Sequence, residues 1–87
     1  KFSKQAYIIS EHYREIAEAI MEQMGRGVTS LEARGMYSDQ EKKMLFCVVS
    51  KKEIVQIREI VAEFDPKAFV IVSDAREVFG EGFIEFH

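Results

Sequence analysis

Gly25-Arg26-Gly27 followed by Thr29 is the stretch whose residue types best suit the capture of an oxyanion. Glycine lets backbone N–H groups come close to a negative oxygen, while Arg26 supplies charge and Thr29 a hydroxyl donor. The competing reading makes Gly25 a helix C-cap and Gly27 a turn residue. Arg34, Gly35 and Tyr37 form a second cluster. Gly35 would admit a ligand to the backbone and Tyr37 would stack on it, unless Gly35 merely kinks the end of a strand. Arg76 is the third candidate, set against a local Asp74–Arg76 surface pair of little energetic worth. The ligand-binding candidates are thus Arg26, Gly27, Thr29, Gly35, Tyr37 and Arg76. Catalysis finds no such support. No nucleophile stands beside a base, and there is neither a Cys-x-x-Cys nor a phosphate loop. The chain has no Asn for the arginine–asparagine pair of an acylphosphatase. His12 and His87 lack a spaced partner, so no metal is expected, and no cofactor either. Cys47, between Phe46 and Val48, reads as a buried structural thiol. Lys42-Lys43 and Lys51-Lys52 read as solvated charges.

Composition narrows the partners. With 87 residues, 47% of them apolar and 31% charged, the chain has room for one core and one domain. A net charge of −3 disfavours duplex nucleic acid and anionic membrane, both of which attract positive surfaces. RNA binding on central-strand aromatics is also rejected: Tyr7 and Phe46 are suitably spaced, but the third strand lacks the basic-glycine-aromatic signature. A single cysteine cannot form an internal disulfide and is compatible with a reducing compartment. No apolar run approaches the roughly 20 residues that span a bilayer. The chain opens on Lys1 rather than Met, which suggests a piece of a longer protein.

These candidates must be positioned by four strands and two helices. Ala6-Tyr7-Ile8-Ile9 marks a first strand, from about Gln5 to Ser10. Ser10 then caps a helix whose apolar stripe is Tyr13, Ile16, Ala17, Ile20 and Met24, stopped at Gly25. Val28 to Tyr37 is a second strand with one wet face, near a sheet edge. Ser38 to Glu41 turns, and Lys42 to Val49 returns as a third strand, apolar on both faces from Met44 onward. Ser50 and Glu53 form a capping box, with Val49 and Ile54 as its hydrophobic staple. Ile54, Ile57, Val61 and Phe64 mark the buried side of the second helix, which Asp65-Pro66 ends. Phe69 to Val72 is the fourth strand. From Ser73 to Phe83 the chain is neither clean helix nor clean strand.

The order β-α-β-β-α-β predicts an α+β, ferredoxin-like antiparallel sheet, with both helices on one face by right-handed crossover. The first, third and fourth strands are apolar on both sides, so the helix-free face must carry large apolar groups. Such a patch marks an interface. Self-association as a trimer or dimer through that face is expected, the alternative being cover from the chain's own tail.

Three stretches carry a family resemblance: Gly25 to Ser38, Phe46 to Ser50 and Asp65 to Val78, closed by Gly80-Glu81-Gly82-Phe83. Together they resemble the C-terminal domain of bacterial YitT-type membrane proteins, a domain of unknown function, over nearly the whole chain from Tyr7 to Phe83. The resemblance implies a ferredoxin-like fold similar to the PII (GlnB-like) signalling proteins, and a position on the cytosolic side after transmembrane helices. Gly27-Val28-Thr29 is similar to the PII glycine and threonine that lead into the second strand. Gly35-Met36-Tyr37 resembles the opening of the long PII loop, here replaced by a short turn. The PII residues that grip ATP phosphate have no one-for-one match. By the same likeness Arg76 would reach a ligand held between subunits. The implied function is a regulatory domain of a bacterial membrane protein that senses a small anion or nucleotide. The alternative is an oligomerisation domain that binds no ligand.

Overall fold

The second helix shows how directly local chemistry sets an element boundary. The Ser50 backbone N–H donates to Glu53 Oε1 at 2.7 Å, and the Ser50 side chain accepts from the backbone three residues on. This capping box opens a 3-10 turn, Lys51–Glu53, that runs into helix α2, Ile54–Phe64. In the computed structural model, which describes residues 3–76 and 78–80, the other elements are β1 (Ser3–Ile9), α1 (Tyr13–Met24), β2 (Thr29–Gly35), β3 (Gln40–Ser50) and β4 (Phe69–Ala75). The strands form one sheet in the order β2-β3-β1-β4, every neighbouring pair antiparallel. This is the ferredoxin-like α+β arrangement, and β2 is an edge strand, as its wet face implies.

The core lies between the helices and one sheet face. Ala6 and Ile8 from β1 and Leu45, Cys47 and Val49 from β3 meet Ile16, Ala19 and Ile20 from α1 and Ile54, Ile57, Ile60 and Val61 from α2. Ala6, Ile8, Leu45, Cys47 and Val49 alternate along their strands and so share a face, which places both helices on the same side. Ala19 and Ile60 join the core beyond the predicted stripes, while Phe64 is only half-buried. Burial pushes the Cys47 thiol up to about 11, with the Glu53 charge adding to it, so the group stays protonated and inert at neutral pH.

Several boundaries differ from expectation for local reasons. Helix α1 begins at Tyr13, and Ser10 does not cap it directly. Its hydroxyl accepts the His12 N–H at 2.8 Å and donates to Asp65 Oδ2 at 2.5 Å, tying the β1–α1 connection to the end of α2. Strand β2 ends at Gly35 because Met36 to Asp39 form the turn. Asp39 takes a left-handed φ of 58° and its N–H donates to Gly35 O at 2.7 Å. Strand β4 continues through Ser73, Asp74 and Ala75, since their pairing with Gln5, Lys4 and Ser3 prolongs the ladder. There Asp74 meets Lys4 Nζ at 2.5 Å. Glu77 and residues 81–87, which include Glu81, Gly82, Phe83 and His87 of the sequence reading, lie outside the described residues.

The opposite sheet face carries no helix and is apolar in two rows. One row runs Thr29, Phe46, Tyr7 and Ile71 across the four strands; the next runs Leu31, Met44, Ile9 and Phe69. The Tyr7 and Phe46 rings pack at 4.9 Å between centroids. Phe69, Ile71 and Leu31 are exposed at 62%, 45% and 39%, so no described residue covers that part of the face.

Candidate functional site

The six sequence-derived candidates do not converge within one copy. Arg26 and Gly27 lie in the α1–β2 connection, at the end of the sheet where β3 finishes, and Arg76 follows β4 at the same end with β1 between. Thr29 stands on the helix-free face, opposite Phe46. Gly35 closes β2 at the far end, where an added Cβ would sit 2.9 Å from Ser38 Oγ and 3.1 Å from Lys42 Cε, so a larger residue there would have to turn those side chains aside. Tyr37 projects fully into solvent from that turn.

Arg26 is committed to a partner. Its Nε donates to Glu53 Oε1 and Oε2 at 3.1 and 3.2 Å, and Nη2 lies 3.1 Å from Oε1. This fork links the end of α1 to the capping box of α2. Gly25, at φ 65°, makes the turn possible, its N–H donating to Met21 O at 3.1 Å. The reading of Gly25 as a C-cap therefore holds. Partial burial pushes the Glu53 carboxyl up, but the Ser50 N–H and the Arg26 guanidinium outweigh it and hold the carboxyl below its usual range. A group depressed in the folded state adds stability that is present above its unfolded pKa and lost as pH falls through the folded one. Glu53→Gln is accordingly expected to lower the urea midpoint at pH 7. The gap to the parent chain should close below about pH 4; a gap independent of pH would sink this account of the pair.

A cleft that no motif announces lies at the opposite end. Strand β3 pairs with β1 only from Met44 onward, whereas Gln40 to Lys43 pair with β2 alone, so the β2–β3 hairpin overhangs the end of β1. Beneath it opens a cleft of about 820 Å³. Its wall takes Lys42 and Lys43 from the overhang, Ser10 and His12 from the β1–α1 connection, Lys67 from the α2–β4 connection, and Phe69. Much of its acidic lining is already engaged. Glu32 holds Lys43, Glu41 lies 3.6 Å from Arg34 Nη2, and Asp65 accepts from the Ser10 hydroxyl and the Lys67 N–H. The Ser10 hydroxyl holds the Asp65 carboxyl below its usual range. The lining also holds Glu11, so its carboxylates outnumber its lysines; Lys42 and Lys67 make no ion pair with the described residues and are the cations left for an anion, with Lys67 in the field of Asp65. None of the six candidates lines it, although Gly35 pairs with the lining residue Gln40. Sequence reasoning missed this cleft because four separate segments build it, each ordinary by itself.

With that geometry in view, the comparisons with known proteins are specific. Residues 26–80 match the model of a family described as an uncharacterised protein conserved in bacteria, DUF2179. The chain belongs to the DUF2179 family. This DUF2179 chain is 46% identical over 82 residues to the UPF0750 membrane protein YxkD of Bacillus subtilis, covering 94% of the chain and 30% of the relative. It is 36% identical over 75 residues to YitT of the same organism, covering 86% of the chain and 27% of that protein. The YitT-type resemblance is therefore real, and the chain spans under a third of these relatives' length. Among the described residues, no helix is long and apolar enough to cross a membrane. A crystal structure of a DUF2179 protein from Eubacterium ventriosum matches with TM-score 0.72 at 37% identity, over 82% of this chain and 97% of that one. Arabidopsis thaliana PII bound to citrate matches with TM-score 0.75 at 21% identity, over 93% of this chain and 83% of that one. The PII likeness shows a shared fold.

Proposed function

We propose that this DUF2179 domain is a regulatory module on the cytosolic side of a bacterial membrane protein, where copies associate through the helix-free sheet face and bind a small anion in the cleft beside it. The observation that carries the reading is shared lining. Ile9 and Phe69 belong both to the exposed apolar row of that face and to the wall of the cleft. A second copy seated on the face would add a wall to the cleft and place the ligand between subunits. A contiguous apolar patch on a soluble domain marks an interface, and the cleft offers the lysines Lys42 and Lys67 to a phosphate or carboxylate. Structures of the same fold support the anion class, since one PII relative is described with citrate and another with ADP, AMP and acetate.

Titration of the 87-residue chain with inorganic phosphate, citrate and ADP, read by calorimetry and hydrogen exchange, tests the ligand half of the reading. At least one is expected to bind, to protect the Ser10–Tyr13 and Gln40–Lys43 amides, and to lose at least tenfold in affinity in the Lys42→Ala/Lys67→Ala double variant. Protection confined to Gly25–Thr29 would move the site back to the sequence-derived glycine motif. Association without any of the three binding would favour the ligand-free oligomerisation domain instead.

A further inference from the structure

Among the described residues the sheet has two free edges of opposite character. The β2 edge, Thr-Ser-Leu-Glu-Ala-Arg-Gly, carries Glu32, engaged with Lys43, and Arg34, whose Nη1 donates to Asp39 O at 2.9 Å. Charged residues along an edge are a common device against unwanted strand pairing. The β4 edge, Phe-Val-Ile-Val-Ser-Asp-Ala, has no such protection. It runs seven residues with no proline and no lysine, and its one charge, Asp74, turns to Lys4 of the neighbouring strand. Phe69 and Ile71 on the helix-free side and Val72 on the helix side are all exposed, so no described residue covers the edge from either face. A row of backbone N–H and C=O groups that no described strand pairs, flanked by exposed apolar side chains, is complementary to one kind of structure, an extended strand.

We infer that the β4 edge pairs antiparallel with the β4 edge of a second copy, joining two four-stranded sheets into one. The strand is complementary to itself. Pairing about Ile71 sets that residue against the partner's Ile71 and Val70 against the partner's Val72. All four side chains are apolar and suited to cross-strand contact. The same register leaves the two Asp74 carboxylates six residues apart along the ladder, roughly 20 Å, so no like charges meet. A two-fold arrangement of this kind closes on itself and leaves only the protected β2 edges outermost. It also extends the apolar rows continuously from one copy to the next, which enlarges the face invoked above without depending on it.

Val72 separates the two contacts. It pairs with Ala6, on the helix side of the sheet, so lysine there charges the edge and leaves the helix-free face unchanged. Val72→Lys is expected to halve the native mass measured by light scattering, with the far-ultraviolet spectrum retained. Combined with a charge on the helix-free face it should leave single copies. Hydrogen exchange on the parent chain gives a second readout that needs no variant: the β4 amides that point away from β1 are expected to be protected at high concentration and to lose that protection on dilution to the single copy. An unchanged mass in Val72→Lys would overturn the edge pairing, and so would protection of the outward-pointing β4 amides that persists in the dilute single copy, which would mean cover from within the chain. Halving by the face variant alone would leave the face reading standing and the edge pairing refuted.

Discussion

Phe46→Glu is expected to cut the native mass of the domain to half or less while leaving the fold intact. Phe46 sits at the centre of the helix-free face, between Thr29 and Tyr7 and in ring contact with Tyr7, and it takes no part in the core on the other side of β3. A carboxylate there costs little in the single copy because water reaches it. In an assembly it would be buried without a partner, a penalty of several kcal/mol per ion. Sedimentation equilibrium on the parent and variant chains, with circular dichroism as the control for folding, reads the effect. A variant that assembles as well as the parent, or a parent that is already a single copy at high concentration, would remove the basis for the self-association proposed above.

The second large effect is on stability. Ile57→Ala is expected to lower unfolding stability by about 3 kcal/mol, the typical cost of deleting a buried isoleucine side chain. For a chain this short that is a drop of roughly 15 °C in Tm. Ile57 is fully buried in the core that α2 shares with α1, β1 and β3, so its loss opens a cavity within that cluster. Small domains have only a few kcal/mol in hand, so a substantial unfolded fraction at 37 °C is part of the expectation. Denaturant titration would contradict it by returning a loss below 1 kcal/mol, which would mean the helix layer is far looser than its contacts imply.

The fold was legible because its signals are local. Ser50 and Glu53 announce a capping box, the Ile16–Ile20 spacing announces an inward stripe, and Pro66 announces a stop; each works through neighbours a few residues away. The apolar helix-free face was legible for the same reason, since alternation fixes which side of a strand a residue takes. The candidate site was not. Arg26 drew attention by standing between glycines, yet Glu53, which claims it, lies 27 residues along the chain. The overhang that roofs the cleft depends on a register in which β3 outruns β1, and no composition or spacing in either strand encodes that mismatch. Strand β4 was read short for a related reason. Ser73 and Asp74 look like the start of a loop until Gln5 and Lys4 are found opposite them.

The position of β1 between β3 and β4 bears on how the molecule is made. The first strand is one of the two inner strands of the sheet, and Ser3 finds its two neighbours far along the chain, at Ser50 and Ala75. Until β3 is made, β1 is an apolar ribbon with both sides unpaired, while the first helix can already take shape. Ring closures of that span are entropically slow, so the pairing of β1 with β3, which unites the strands of the core, is the slow step, and β4 adds to a sheet whose core strands are already joined.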